Sequence, residues 1–152
     1  MRTEEIKADR ELEVFSEFVA VSNLPFNLRT TEKRIPPQPD ILSTHPEDGL
    51  VAFELVEICD SNLAEFFSTV KEGGAYYMRT GDPSAQIITK KLRKRYKTEH
   101  PIELLCYTDG RVITPADVVI PTIRPYLRSF EHVFRRAWLL SRHHVYALWP
   151  AG

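Results

Sequence analysis

Pro36-Pro37-Gln38-Pro39-Asp40-Ile41-Leu42-Ser43 and, after a polar connection, Leu50-Val51-Ala52-Phe53-Glu54-Leu55-Val56-Glu57-Ile58-Cys59-Asp60 form the stretch on which the fold turns. It puts two acids where burial is expected. The prolines exclude helix and force an extended approach to Asp40. Leu50 to Ile58 is rich in strand-forming residues and apolar on both faces apart from its glutamates, the pattern of a central strand covered on both sides. A carboxylate there costs several kcal/mol unless a cation compensates it. A metal ion is one such cation; a lysine or arginine is another.

Outward from this stretch, the connection His45-Pro46-Glu47-Asp48-Gly49 ends in Asp-Gly and predicts a hairpin. Upstream, the spacing of Leu12, Phe15, Phe18 and Val19 predicts an amphipathic helix over Thr3 to Val21, closed by Asn23 and Pro25. A short strand is expected over Phe26 to Thr30. Downstream, Asp60 is read as the cap of a helix over Ser61 to Val70, stopped by Gly73-Gly74. Gly81-Asp82-Pro83 starts another helix, which is expected to reach Lys97 with Ala85, Ile88, Leu92 and Tyr96 as one face. Pro101 to Tyr107 reads as a strand. Thr114-Pro115-Ala116-Asp117 is a capped helix start, and Pro121 and Pro125 are expected to break that helix into two pieces ending near His132. Phe134 to Leu140 and Val145 to Trp149 read as a closing hairpin around Ser141-Arg142-His143-His144. The class is α/β, a mixed sheet flanked by helices.

A chain of 152 residues, 43% hydrophobic and 27% charged, fits a single domain over 1–152 with a real core. No apolar run approaches the ~20 residues of a membrane helix, and no signal-peptide core follows Met1, so a cytoplasmic location is expected. Cys59 and Cys106 sit in apolar contexts and read as buried free thiols. A net charge of −1 gives no global attraction to nucleic acid, so any such contact needs a local patch. Zinc-motif spacing, a glycine-rich phosphate loop and a Gly-x-Ser-x-Gly elbow are all missing from the sequence.

Helix, three-strand meander, helix and strand, with Pro39-Asp40 entering one strand and Glu54 inside the next, resemble the PD-(D/E)XK nuclease superfamily from Glu4 to Tyr107. The resemblance implies a restriction-endonuclease-like core, with a helical segment and a hairpin appended at the C-terminal end. It implies Mg²⁺- or Mn²⁺-dependent phosphodiester hydrolysis of nucleic acid, DNA first, with Asp40 and Glu54 as metal ligands. It also brings the expectation of a homodimer. Two carboxylates on adjacent strands ~4.8 Å apart can share a cation, and Mg²⁺ needs only one or two of them. The chain departs from the motif at Val56, where the lysine should stand two residues after Glu54 on the same face. Some members supply that amine from the following helix. Lys90 is the candidate, one turn from Gln86, which resembles a glutamine that follows the motif in some branches; Lys91 is the second choice. Lys91, Arg93, Lys94, Arg95 and Lys97 read either as a phosphate-backbone patch or as a solvated helix end favoured by the dipole. Glu57 has the opposite strand parity to Glu54 and reads as structural; Glu13 and Glu17 read as a solvated helix face. Two rivals stand beside the nuclease reading: a silent member of the fold that binds nucleic acid or protein, and an unrelated module in which Glu54 is a buried ion-pair residue.

Overall fold

The computed structural model describes residues 3–58, 83–108 and 116–150. The Ser61–Val70 helix and Cys59 lie outside the described residues, as do the Gln86 side chain and the start of the helix at Thr114. The architecture is mixed α/β. Helix α1 (Thr3–Ser22) precedes β1 (Asn27–Lys33), β2 (Ile41–His45) and β3 (Gly49–Glu57); α2 (Pro83–Arg93), β4 (Ile102–Tyr107), α3 (Ala116–Ser129), β5 (Phe134–Ser141) and β6 (His144–Trp149) follow. The six strands form one sheet in chain order. The β1–β2, β2–β3 and β5–β6 pairs are antiparallel, whereas β3–β4 and β4–β5 are parallel.

Local chemistry sets the boundaries. Asn23 takes φ 58° and its N–H donates to the Val19 carbonyl, an Asn-terminated helix end. Gly49 supplies φ 75° to close the β2–β3 turn, while His45 Nδ1 accepts from the Glu47 and Asp48 N–H groups inside it. Strand alternation sends Val51, Phe53 and Leu55 to the α1 side, against Phe15, Phe18 and Phe26; Phe15 and Phe53 stack edge-on at 4.8 Å. Ala52 and Val56 face the other layer, against Ile88 and Leu92 of α2 and Val119, Ile123 and Leu127 of α3.

Two helix boundaries differ from expectation. Helix α2 stops at Arg93 rather than Lys97. Beyond it, Tyr96 packs on Phe134 (ring centroids 5.8 Å) and the Lys97 N–H donates to the Pro37 carbonyl at 2.9 Å, so tertiary partners draw the chain out of the helix. Helix α3 is continuous through Pro121 and Pro125 instead of broken into two. Both prolines are exposed, on the side away from the buried Val119–Ile123–Leu127 stripe, so packing of that stripe outweighs two missing N–H donors. The closing hairpin forms as expected, with Arg142 and His143 at its tip. Among the described residues, no helix is long and apolar enough to cross a membrane.

Candidate functional site

Asp40 stands immediately before β2, and Glu54 lies within β3. Ile41 pairs with Phe53, so the next positions outward, Asp40 and Glu54, face one another. Glu54 is 1% exposed, among Ala52 and Val56. Its Oε1 accepts the Asp40 backbone N–H at 3.2 Å. Its Oε2 lies 3.0 Å from Lys91 Nζ and 3.4 Å from Lys94 Nζ. Asp40 Oδ2 accepts the Leu55 N–H at 2.9 Å, and Oδ1 accepts from Lys33 Nζ at 3.2 Å. Burial alone would raise the Asp40 pKa. The Leu55 N–H, the Lys33 charge, hydrogen bonding with the Glu54 carboxyl and the Lys91 charge together outweigh it, and hold Asp40 below the usual carboxylate range.

A third acid enters from α1. Glu11 is buried, with Lys33 Nζ 2.8 Å from its Oε1, yet that oxygen receives no well-aligned hydrogen bond. Burial, with the Asp40 charge adding to it, raises the Glu11 pKa against the pull of Lys33. Lys33 thus bridges Glu11 and Asp40; against the cost of its own burial, those two acids raise its pKa. The Tyr96 hydroxyl is buried without a partner of good hydrogen-bond geometry. Burial, then the nearby Glu54 charge, raises its pKa. The centre is therefore a run of acids and amines in which each charge has an opposite neighbour.

The lysine facing the acids is Lys91, not Lys90. Lys90 is exposed. With Ile88 and Leu92 buried, ~100° per residue places position 90 on the opposite side of α2 and position 91 at the flank of the buried stripe. Lys91, half-buried, and Lys94, exposed, both reach Glu54, whereas Arg93, Arg95 and Lys97 are exposed and form no ion pair with it. Arg93 lies over the Phe130 ring at 5.6 Å.

A further buried acid, Glu103 on β4, is not among the residues that the sequence reading brings forward. Its Oε2 accepts from Arg135 Nε at 2.9 Å and lies 3.7 Å from Arg136 Nη1; its Oε1 accepts from Trp138 Nε1 at 2.7 Å. Arg135 also reaches Asp48 in the β2–β3 turn at 2.9 Å. The register slips by one residue between Ile102 and Glu103, so Arg135 is an extra residue in β5 and two consecutive arginines reach one carboxylate. The signal is the same as for Glu54: an acid inside an apolar strand run. Glu57 is exposed at the end of β3; Glu13 lies 3.9 Å from Arg10 Nη1 and Glu17 Oε1 meets His143 Nδ1 at 2.6 Å, both apart from the two centres. Cys106 is a buried free thiol, pushed up to about 12 by burial.

Comparison with protein-family models, curated proteins and solved structures gives no match to the chain.

Proposed function

We propose that this chain is a metal-dependent phosphodiesterase of restriction-endonuclease-like architecture, acting on nucleic acid and on DNA first. The observation that carries the reading is that the buried Glu54 carboxylate and the half-buried Asp40 face one another across β2 and β3, with an ammonium from α2, Lys91, at 3.0 Å from Glu54. The order of helix, three-strand antiparallel meander, helix and parallel strand supports it.

The donor set fits a hard divalent cation. Carboxylate oxygens suit Mg²⁺ or Mn²⁺, and Asp40 and Glu54 would hold it. Among the described residues, no cluster of three His, Cys, Asp or Glu ligands forms, so further positions would fall to water and phosphate, which Mg²⁺ accepts. When bound, the cation would stabilise charge on the phosphate and lower the pKa of a water. Lys91 replaces the amine missing at Val56, which is itself buried among apolar side chains. It places its ammonium 3.0 Å from Glu54, where it would face a substrate phosphate bound at the two acids. Lys94 and Lys33 neutralise the remaining acid charge.

The silent-fold reading is favoured by one specific feature: two lysines already engage Glu54 Oε2. Calorimetric titration with Mn²⁺ separates the two. Uptake by the parent that Glu54→Ala abolishes supports the nuclease. Cleavage assays then compare Lys91→Met with Lys90→Met. The first is expected to cut turnover by about 10²–10³ while keeping metal affinity, and the second to leave it unchanged. Equal activity of both variants would remove Lys91 from the mechanism; a parent that takes up no metal would favour the silent module.

A further inference from the structure

A concavity opens beside Asp40, lined in part by its neighbours Pro39 and Ile41. It encloses about 150 Å³ and is lined by Arg34, Gln38, Lys97, Thr98 and His100, together with the exposed Glu99; Leu42 and Ala52 form part of its wall. It is tied to Asp40 by backbone. The Arg34 N–H donates to the Asp40 carbonyl at 2.8 Å, and the Lys97 N–H donates to the Pro37 carbonyl at 2.9 Å. Ala52 precedes Glu54 by two residues on the same face of β3, about 7 Å away at ~3.3–3.4 Å per residue.

Three observations give its chemistry. Arg34 lines the space, and its Nε is a buried donor with no hydrogen-bond partner, so a small turn of the half-exposed guanidinium would bring that unsatisfied N–H to an acceptor in the pocket. The guanidinium's pairing with Glu32, at 2.6 Å, is half-exposed on both sides and therefore weakly held. Lys97 has no ion-pair partner among the described residues, although it lines the same space. The volume is well below the ~300–1,000 Å³ of a drug-sized ligand pocket, so the ligand is one small anionic group rather than a whole metabolite.

We propose that this pocket is a phosphate subsite, which takes a phosphate of a nucleic-acid strand next to the one presented to Asp40 and Glu54. The proposal rests on the nuclease reading for its ligand and on the orphaned Arg34 donor for its place. Arg34 supplies directed N–H donors and Lys97 a mobile point charge, the division of labour that phosphate recognition uses. The phosphate held there is an internal diester or a terminal monoester, and the two differ in charge.

The test is binding of a labelled single-stranded DNA 12-mer, with and without a terminal phosphate, in chelator so that nothing is cleaved. Against the parent, Arg34→Met/Lys97→Met is expected to lose about tenfold in affinity at low salt. Its slope of log K against log salt should flatten by ~0.7 for one phosphate contact on a single strand. Arg128→Met, which removes an exposed cation on α3, should change neither. A loss confined to the phosphorylated oligomer assigns the pocket to a strand end; a loss with both assigns it to an internal phosphate. Inorganic phosphate titrated into ¹⁵N-labelled parent is expected to shift the Leu42, Ala52, Thr98 and His100 amides. Parental affinity and slope in the double variant, or phosphate shifts absent from those amides, overturns the subsite. Slope loss and local shifts without any Mn²⁺ uptake by the parent would keep the subsite and remove the nuclease reading, so the two failures are distinct.

Discussion

Glu54 and Glu103 are each 1% exposed, on adjacent parallel strands of one sheet, and their surroundings differ in kind. Glu103 is closed off. A guanidinium fork takes one oxygen, an indole N–H takes the other, and a second arginine stands behind. Arginine and tryptophan donors are fixed in direction, so this arrangement reads as a clasp between β4, β5 and the β2–β3 turn. Glu54 is held by lysine amines, which are point charges on flexible stems, and it has a second carboxylate beside it. Three lysines, Lys33, Lys91 and Lys94, balance the acids around it, and Asp40 stays below the usual carboxylate range. Burial is common to the two acids; what separates them is the kind of partner and the second acid beside Glu54.

The comparison breaks most visibly in stability. Arg135→Met leaves Glu103 with the Trp138 N–H and with Arg136 at 3.7 Å, and is expected to cost about 2–3 kcal/mol in urea unfolding, whereas Lys91→Met, with Lys94 still 3.4 Å from Glu54, should cost about 1 kcal/mol. Equal costs would mean that the two centres are alike. Metal affinity sharpens the contrast from the other side. Asp40→Asn should weaken Mn²⁺ binding by more than about tenfold by calorimetry, and Glu103→Gln should leave it at the parental value.

Acid titration gives a smaller effect with two signs. Asp40 is lowered in the folded state, so the stability it contributes is present above the unfolded carboxylate pKa and is lost as pH falls through the lower folded value. Glu11 is raised, so its contribution is full below the unfolded pKa and is lost as pH rises through the raised folded value. Asp40→Asn should therefore flatten the acid limb of the stability curve below the ordinary carboxylate range. Glu11→Gln should instead relieve a cost at neutral pH. Unfolding midpoints from neutral pH downward check both signs. The smallest effect belongs to the exposed pair Arg10–Glu13, at 3.9 Å, whose removal should move stability by less than about 0.5 kcal/mol in the same assay.

Much of this arrangement can be read from the residues. The prolines before Asp40 and the apolar run around Glu54 are enough to bring the two acids to facing positions, because strand parity is strict. The closing hairpin is equally plain. The amine is harder: Ile88 and Leu92 mark the buried stripe of α2 correctly, but choosing Lys90 beside it instead of Lys91 takes the wrong neighbour, and one residue turns a helix by ~100°. The end of α2 is hidden because the run Lys94 to Lys97 contains neither Gly nor Pro. What ends the helix is Pro37, some sixty positions upstream, and such a partner has no local signature. Glu103 is legible by the rule applied to Glu54. Arg135, its main partner, depends on a register slip that composition does not encode.

The strands lie across the sheet in the order in which they occur along the chain. For a nascent polypeptide emerging from the ribosome, this layout means that every new strand finds its neighbour already made. The β1–β2–β3 meander can assemble from short-range turns, while β4 must wait for a crossover from Glu57 to Ile102 before it can dock alongside β3. Growth is vectorial, and its slow step falls between Glu54 and its amine Lys91. Until that step, the meander displays an acid in an apolar strand with no counter-charge from α2, and the open β3 edge is the surface a chaperone would meet. Pulse-labelled hydrogen exchange during refolding should accordingly protect β2 and β3 amides before those of β4 and β5; simultaneous protection would show that the sheet closes as one unit.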